Sequence, residues 1–283
     1  MVTNNKKFRF KIVVPAYNCT KWLRNCLDSI ERQSLNAFDV CVIDDASTDV
    51  QQQPLIEDYC RRNNWAFHFN ETNQGALFNI INGITLLRPE DQDVIITLDG
   101  DDWLYNRHVL KKLYKIYSEE DVYLTYGQFI TYPRCNIGSC RPVSNEIIRN
   151  RSFRKIKWVF SHPKTFKYFL WRHIKDEDLL DKDGKPFKVA SDLAIMFPML
   201  EMAAYRFRYI NEFLYVYNKV NPLNDDKIHL ERQQVAVEYI RSLPPYSPLF
   251  HDDHMANTDT TTLANKLKMV MIKIARKTKM VLT

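Results

Sequence analysis

Glycine-rich phosphate-binding loops are missing from this sequence. The chain has six glycines among 283 residues, and its first strand-like run is followed by PAYNCT rather than by a G-x-G-x-x-G turn. Such a turn lets the backbone approach a pyrophosphate in dinucleotide-binding folds. No G-x-x-x-x-G-K-[ST] loop occurs either. The sequence therefore disfavours a dinucleotide-binding Rossmann enzyme and a P-loop nucleotide hydrolase.

Paired cysteines and long apolar runs are also scarce. Of six cysteines, only Cys135 and Cys140 lie close together in the sequence, whereas a zinc site usually needs a second such pair. No apolar run approaches the roughly 18 residues of a membrane span, and nothing like a secretory signal precedes the first strand. We therefore expect a cytoplasmic protein with reduced cysteines, because a reducing compartment does not keep structural disulfides.

The net charge of +6 lies in one segment. Residues 263–283 hold six Lys and Arg and no acid, so the other 262 residues have as many Lys and Arg as Asp and Glu, 34 of each. No nucleic-acid partner is expected, because the body lacks a basic bias. Most apolar residues of 263–283 fall on one face of a helix, opposite its cations. This pattern fits either a helix docked on the body or a basic amphipathic helix in peripheral contact with an anionic membrane.

Alternating periodicities predict an α/β fold. Five β-rich runs, at 8–16, 38–45, 66–70, 94–99 and 122–127, alternate with segments whose apolar residues have helical spacing. This β-α-β-α order predicts a mostly parallel sheet with helices on both faces.

Polar side chains follow four of these strands, at the point where each strand ends. They are Tyr17, Asn18, Asp44, Asp45, Asn70, Glu71, Asp99, Asp101 and Asp102. The carboxyl ends of parallel strands meet at one edge of a sheet, where α/β proteins bind ligands. Three carboxylates within residues 99–102 repel one another unless cations, donors or water compensate. That turn is therefore either a divalent-metal site or a charged turn.

Four segments resemble glycosyltransferase family 2, in this order and spacing: 14-VPAYN-18, 43-IDDASTD-49, 73-NQGALFNIINGI-84 and 98-LDGDDWL-104. The likeness continues more loosely to about residue 220. It implies the GT-A fold, with a Rossmann-like nucleotide-binding sheet. It also implies an inverting, metal-dependent transfer of a sugar from a nucleoside-diphosphate sugar, with a UDP-sugar favoured, to an acceptor hydroxyl. The acceptor is expected to be a glycan, with a lipid-linked or protein acceptor left open.

The resemblance implies a donor site at the strand ends. The residues implied to hold the nucleotide sugar are Pro15, Ala16, Tyr17, Asn18, Asp44, Asp45, Asn73, Gly75, Asn79, Asp99 and Gly100. Asp45 is expected to accept a hydrogen bond from a base N–H. Alternatively, the Asp44-Asp45 pair caps the following helix, as Ser47 or Thr48 also could. The family's arginine is absent, since Ile80 stands near its place, and Asn79 is a candidate substitute.

The resemblance identifies Asp99-Gly100-Asp101 as the family's Asp-x-Asp element, which ties Mn²⁺ or Mg²⁺ to the donor diphosphate. Asp101 is the expected direct metal ligand, with Asp99 beside it; oxygen ligands suit such hard cations. Family members often carry a histidine after the last strand, where this chain offers other residues. They are Asn218, Asn221 and Asn224.

Asp192 is the expected catalytic base. A carboxylate within reach of the acceptor hydroxyl would take its proton as the oxygen attacks. The family places this acid at the start of a helix in the second half, and the resemblance matches that position to Asp192 in 190-ASDLAIMFPMLE-201. Alternatively, Ser191 or Asp192 caps that helix; Glu201, more than two turns on, is a weaker candidate base. The residues expected on the acceptor side are Asp102, Trp103 and His162.

The sequence predicts three functional parts. They are a donor-binding half at 1–125, an acceptor-binding and catalytic-base half at 126–235, and a C-terminal extension at 236–283 with the basic amphipathic helix. Two other functions stay open. A sugar nucleotidyltransferase would typically carry a glycine-rich, basic loop after the first strand; a nucleotide- or sugar-binding module would lack catalysis altogether.

Overall fold

A computed structural model of the protein describes residues 8–224 and 230–250. Eight strands in these residues form one sheet. They are β1 (Phe10–Ala16), β2 (Phe38–Asp44), β3 (Ala66–Phe69), β4 (Val94–Thr97), β5 (Trp103–Leu104), β6 (Leu124–Tyr132), β7 (Lys164–Lys167) and β8 (Phe207–Asn218). Their order across the sheet is β3-β2-β1-β4-β7-β6-β8-β5. β5 and β7 run antiparallel to their neighbours, and the remaining neighbouring pairs are parallel.

Helices surround this sheet. They are α1 (Thr20–Glu31), α2 (Gln52–Asn63), α3 (Ala76–Leu87), α4 (Val109–Glu119), α5 (Asn145–Arg149), α6 (Tyr168–Trp171), α7 (Ser191–Ala203) and α8 (Leu230–Ser242). The five predicted strands and the predicted helix at 190–201 are all present. Within residues 8–224 and 230–250, no helix is long and apolar enough to cross a membrane.

The core forms where the predicted apolar runs meet. All seven residues of β1 are buried, because the strand lies between β2 and β4 and its faces are covered. The apolar residues with helical spacing in α1 are the residues that this helix buries: Trp22, Leu23, Cys26, Leu27 and Ile30. In α3, Gly83 allows a close approach to β1, since an added Cβ would collide with the side chain of Val13.

Strand β7 joins the two halves of the sheet. It pairs antiparallel with β4, where Lys164 lies opposite Thr97, and with β6 on its other side. Because β7 runs antiparallel to β4, its first residue, Lys164, lies at the carboxyl end of β4. The fold thereby places His162 and Lys164 at the edge where the predicted donor residues gather.

The described structure does not break at the predicted functional boundaries. The division at 125/126 falls inside β6, and the division at 235/236 falls inside α8. Chain contacts group the residues up to Ser247 in one unit and those from Pro248 in a second. The predicted amphipathic helix at 263–283 lies outside the described residues.

Candidate active site

The acidic turn after β4 lies against the end of β1. The N–H of Gly100 donates to the carbonyl of Pro15 at 2.9 Å. A Cβ on Gly100 would lie 2.9 Å from the Cβ of Ala16, so a glycine is needed for this approach. Pro15, Ala16 and Gly100, all predicted donor residues, are thus brought into contact around Asp99 and Asp101.

Asp102 connects the acidic turn to β8. It is buried, and its two oxygens accept hydrogen bonds from the Tyr215 hydroxyl at 2.7 Å and the Asn218 N–H at 2.6 Å. Burial, with the charges of Asp101 and Asp99 beside it, raises the pKa of Asp102 well above its usual range. The predicted acceptor residue Trp103 is half-buried, with its ring 5.3 Å from that of Tyr132.

A group of potential metal ligands forms around His162. One ligand atom each of Asp99, Asp102 and His162 lies within 4.8 Å of the others. His162 is buried and stacks on Tyr215, with ring centroids 4.5 Å apart. Burial and the nearby charge of Lys164 lower the pKa of His162 to about 3, so the ring is neutral and keeps a lone pair for a cation.

The predicted ligand Asp101 lies in the same turn, partly buried. Its Oδ2 accepts a hydrogen bond from the side-chain amide of Asn221 at 2.8 Å. Asn221 follows the last strand, β8, so an asparagine from that segment contacts the acidic turn. Carboxylate oxygens and a neutral imidazole are ligands that Mn²⁺ accepts, and excess negative charge favours binding of a cation. The residues present therefore fit a divalent metal ion, with His162 joining the predicted carboxylates.

Asp192 lies in the first turn of α7, directly beside a buried lysine. Lys164 donates to its Oδ1 at 2.6 Å and lies 3.4 Å from Nδ1 of His162. The side chain of Lys164 is 5% exposed and that of Asp192 is 32% exposed. Burial opposes ionisation of Asp192, but the charge of Lys164 outweighs this and lowers the pKa of Asp192. Asp192 is therefore an ionised, accessible carboxylate.

The alternative that Ser191 or Asp192 caps α7 is wrong. Ala190 occupies the cap position, and no side-chain hydrogen bond caps the helix there. The weaker base candidate Glu201 is fully buried and forms two hydrogen bonds with Arg154, at 2.7 and 3.0 Å. This ion pair occupies both carboxylate oxygens of Glu201.

Asp45 organises the loop after β3. Its oxygens accept hydrogen bonds from the Asn70 side chain and from the N–H groups of Gln74 and Gly75, each at 2.8 Å. A carboxylate offers about four acceptor positions, so one remains for a base N–H. Gly75 adopts a φ of +93°, which favours glycine, and the Asn73 side chain donates to the Asp45 carbonyl at 3.4 Å.

Asp44 is wholly buried and tied to the start of α2. It accepts hydrogen bonds from the side chains of Gln52 and Gln53 and from the N–H of Ser47. The cap position of α2 is Gln51, so the alternative that Asp44, Asp45, Ser47 or Thr48 caps this helix is wrong. The helix begins later than that alternative requires, because a loop connects the end of β2 at Asp44 to the start of α2 at Gln52.

The loop after β1 is bound to the loop after β2. The Asn18 side chain accepts a hydrogen bond from the Thr48 N–H at 2.8 Å, and the N–H of Asn18 donates to the Ser47 hydroxyl at 2.9 Å. The neighbouring Tyr17 ring is 39% exposed. Asn18 therefore shapes this loop, and Tyr17 is the side chain available to a ligand.

The loop around Asn73 meets a cation that the sequence did not indicate. Asn79 is buried and accepts a hydrogen bond from Asn70 at 2.7 Å, which places it inside the protein. Exposed Lys188 instead lies along Gly75, and its Nζ is 3.5 Å from the Asn73 carbonyl. Lys188 is 115 residues from Asn73, so no local pattern could have linked them.

The family model described as Glycosyl transferase family 2 matches residues 11–178. The chain is 31% identical over 105 residues to the poly(ribitol-phosphate) β-N-acetylglucosaminyltransferase TarS of Staphylococcus aureus, an alignment covering 36% of this chain and 18% of TarS. It is 22% identical over 241 residues to the uncharacterized glycosyltransferase EpsJ of Bacillus subtilis, covering 80% of this chain and 67% of EpsJ. The chain spans under a fifth of the length of TarS and of the Streptococcus pneumoniae glycosyltransferase GlyA.

Two solved structures show the same fold. Staphylococcus aureus TarS 1–349 in complex with UDP-GlcNAc has a TM-score of 0.58 and 21% identity, covering 75% of this chain and 59% of that chain. The mannosyltransferase PcManGT of Pyrobaculum calidifontis, with GDP-Man and Mn²⁺, has a TM-score of 0.55 and 18% identity. The match covers 86% of this chain and 67% of that chain. The predicted GT-A fold is confirmed.

Proposed function

The chain belongs to glycosyltransferase family 2, and from this we propose that it transfers a sugar from a nucleoside-diphosphate sugar to an acceptor hydroxyl, with inversion and with a divalent cation. The supporting observation is the meeting of three groups at one sheet edge. They are the Asp45 loop, the acidic turn at 99–102 and the Lys164–Asp192 pair. Residues 1–125 would hold the donor, and residues 126–235 the acceptor and the base.

The donor base would lie between the loops that follow β1 and β2. Asp45 has an acceptor position left for a base N–H, and the exposed ring of Tyr17 offers a surface for stacking. A UDP-sugar is the favoured donor, because TarS was solved with UDP-GlcNAc. The GDP-Man in PcManGT means that the choice of base needs a direct test.

The cation would be held by the carboxylates of the acidic turn together with His162. Mn²⁺ or Mg²⁺ at this place supplies positive charge that stabilises the leaving nucleoside diphosphate. The chain's own contribution is to hold its ligands in place. Tyr215 orients Asp102, and Asn221 orients Asp101.

Asp192 would take the proton of the acceptor hydroxyl. It is ionised and accessible, as a general base must be. Attack by the acceptor oxygen on the anomeric carbon, from the face opposite the leaving diphosphate, inverts the configuration there. The acceptor hydroxyl must then lie on the side of the donor that faces α7.

The test combines donor binding with turnover. Thermal unfolding is measured with nucleoside diphosphates and nucleotide sugars, with and without Mn²⁺. A ligand at a hundred times its dissociation constant adds about 2.7 kcal/mol to the free energy of unfolding. The unfolding midpoint should therefore rise by several degrees with nucleotides of one base when Mn²⁺ is present. Asp192→Asn should keep this shift and lose most transfer. A shift without any sugar transfer or donor hydrolysis would contradict the enzymatic function and favour a binding module.

Two variants identify the metal ligands. Asp101→Asn should abolish the Mn²⁺-dependent shift if Asp101 binds the cation, and His162→Gln should weaken it if the imidazole joins the site. The matched control is Asp58→Asn, which removes an exposed carboxylate paired with Arg62 on α2. Equal shifts in the wild type and all three variants would rule out a cation held by these residues.

A further inference from the structure

The connection between β6 and β7 is strongly basic. Residues 133–161, here called the basic connection, contain seven Lys and Arg and one acid, Glu146. Lys and Arg equal Asp and Glu in residues 1–262, so the rest of that part carries a net charge of −6. Six of the seven cations are exposed: Arg134, Arg141, Arg149, Arg151, Lys155 and Lys157. The excess positive charge of residues 1–262 is therefore concentrated in the basic connection, and the remainder of that part is acidic.

Several exposed cations elsewhere on the surface are paired with acids. Arg9, Arg32, Arg61 and Arg62 each form an ion pair with a carboxylate in the first half of the chain. In contrast, Arg134, Arg141, Lys155 and Lys157 form no ion pair with any residue in 8–224 or 230–250. These four side chains are available to an anionic ligand.

The basic connection begins beside the candidate base. Cys140 lies close enough to Lys164 and Asp192 for their charges to act on its thiol. The next residue, Arg141, is held by a hydrogen bond from the Tyr126 hydroxyl to its carbonyl at 2.9 Å. The backbone of a positively charged residue is thus anchored near the place where the acceptor hydroxyl would be deprotonated.

The same connection then follows α7 away from the base. Arg154 pairs with Glu201, and the Trp158 ring packs 5.5 Å from that of Phe197. Glu201 is nine residues after Asp192, or about 13 Å along a helix at 1.5 Å per residue. Arg154, whose neighbours in the chain include the exposed cations Arg151 and Lys155, therefore lies against the part of α7 that is more than two turns from the candidate base.

We propose that the basic connection binds a polyanionic acceptor glycan, one with phosphate or carboxylate groups along its chain. This rests on the proposed function and names its acceptor class. Arginine suits such groups because its planar guanidinium donates two parallel hydrogen bonds. A polymer fits better than a small anion because the cations extend for more than one helical turn. A membrane surface fits less well, since Ile137 is the one strongly exposed large apolar side chain of residues 133–161.

The test uses the full-length chain and end-labelled probes in fluorescence polarisation. The probes are hyaluronan and poly(glycerol phosphate) as polyanions and dextran of similar length as the neutral glycan. We expect binding to at least one polyanion and none to dextran, with weaker binding at higher salt because ions screen exposed charges. The triple variant Arg141→Gln, Lys155→Gln, Lys157→Gln should bind about tenfold more weakly, which is about 1.4 kcal/mol in total, if each exposed contact contributes about 0.5 kcal/mol.

The matched control neutralises three exposed cations elsewhere, as Arg32→Gln, Lys111→Gln, Lys115→Gln. It should bind the polyanion as the wild type does, and both variants should keep the Mn²⁺-dependent donor shift. If the wild type shows the Mn²⁺-dependent donor shift but binds dextran and the polyanions equally, the inference of a polyanionic acceptor is overturned and the proposed function is not. Capture by phosphatidylglycerol vesicles without binding to either polyanion would also overturn it. A wild type with no donor shift would overturn the proposed function, and the acceptor role with it.

Discussion

At the scale of single residues, the pair of Lys164 and Asp192 determines how the candidate base behaves. A buried ammonium keeps its charge only if an anion compensates for lost hydration, and Asp192 lies 2.6 Å away. In return, Lys164 keeps Asp192 ionised although only 32% of the Asp192 side chain is exposed. Lys164 is a positioning residue in this arrangement, because it acts on the substrate only through Asp192.

Lys164→Met should raise the pKa of Asp192, since burial remains while the compensating charge is lost. The acid limb of the pH profile of kcat/KM should then move to higher pH. Lys164→Arg is the control because it keeps the charge. An acid limb at the same pH in Lys164→Met and the wild type would separate Asp192 from the proton transfer.

The same pair should contribute to stability in a defined pH range. The pKa of Asp192 is lower in the folded state than the usual value near 3.9. Its contribution is therefore present above that value and is lost as the pH falls through the folded pKa. The difference in unfolding free energy between the wild type and Lys164→Met should shrink below about pH 4. Denaturant titrations at pH 3 and pH 7 would measure it, and a difference that grows on acidification would contradict the assignment.

Lys188 is expected to contact the donor where the family's arginine is missing. It is exposed and lies along Gly75, next to the Asp45 loop. Lys188→Met should raise the donor KM about two- to fivefold, the effect of losing one exposed charge contact of about 0.4–1 kcal/mol. The unfolding midpoint without ligand should not change, and Lys188→Arg should restore donor binding. An unchanged donor KM in Lys188→Met would show that Lys188 does not replace the missing arginine in donor binding.

At the scale of elements, helix α7 carries the base at its first turn and is fixed at its other end by a buried ion pair. Arg154 donates to both oxygens of Glu201 and to the carbonyl of Ile240 in α8, and the N–H of Tyr246 donates to Glu201. These contacts join the basic connection, α7 and α8. The position of Asp192 therefore depends on contacts more than two helical turns away.

Removing one partner of this pair should be costly. Arg154→Met would leave the Glu201 carboxylate buried without its counter-ion, and we expect a loss of about 3–5 kcal/mol in unfolding free energy. Arg61→Met is the control, because the exposed Arg61–Glu57 pair should contribute less than about 1 kcal/mol. Urea unfolding of both variants measures the difference. Similar small losses would show that the buried pair does not hold α7 in place.

At the scale of the whole molecule, the candidate site lies within the first structural unit. All strands of the sheet and all predicted site residues precede Ser247. The chain truncated after residue 250 should therefore unfold cooperatively and keep the donor shift. It also loses six Lys and Arg and three acids, which lowers the net charge from +6 to +3.

Vesicle sedimentation of this truncated chain tests the peripheral membrane contact predicted for residues 263–283. If that segment binds anionic lipid, sedimentation with phosphatidylglycerol vesicles should fall on truncation and remain unchanged with neutral vesicles. Equal sedimentation of both chains would exclude the segment from membrane binding. A truncated chain without a cooperative unfolding transition would show that the described unit depends on the residues after 250.

The sequence alone determined the elements and the edge of the sheet where the site lies. The stripe of α1 and the apolar run of β1 were readable because helical and strand periodicity depend on near neighbours. The grouping of Asp45, Asp99 and Tyr17 followed from one rule, that carboxyl ends of parallel strands meet. The family resemblance then identified the fold, which the structure confirmed.

Only the tertiary structure decided which side chains touch. Lys164 reaches Asp192 across 28 residues, Asn221 reaches Asp101 across 120, and Lys188 reaches Asn73 across 115. His162 joins the acidic turn because β7 runs antiparallel to β4, a direction that no local pattern specifies. Periodicity is a property of neighbours in the chain, whereas these contacts depend on strand order and register, which form only when the sheet is assembled.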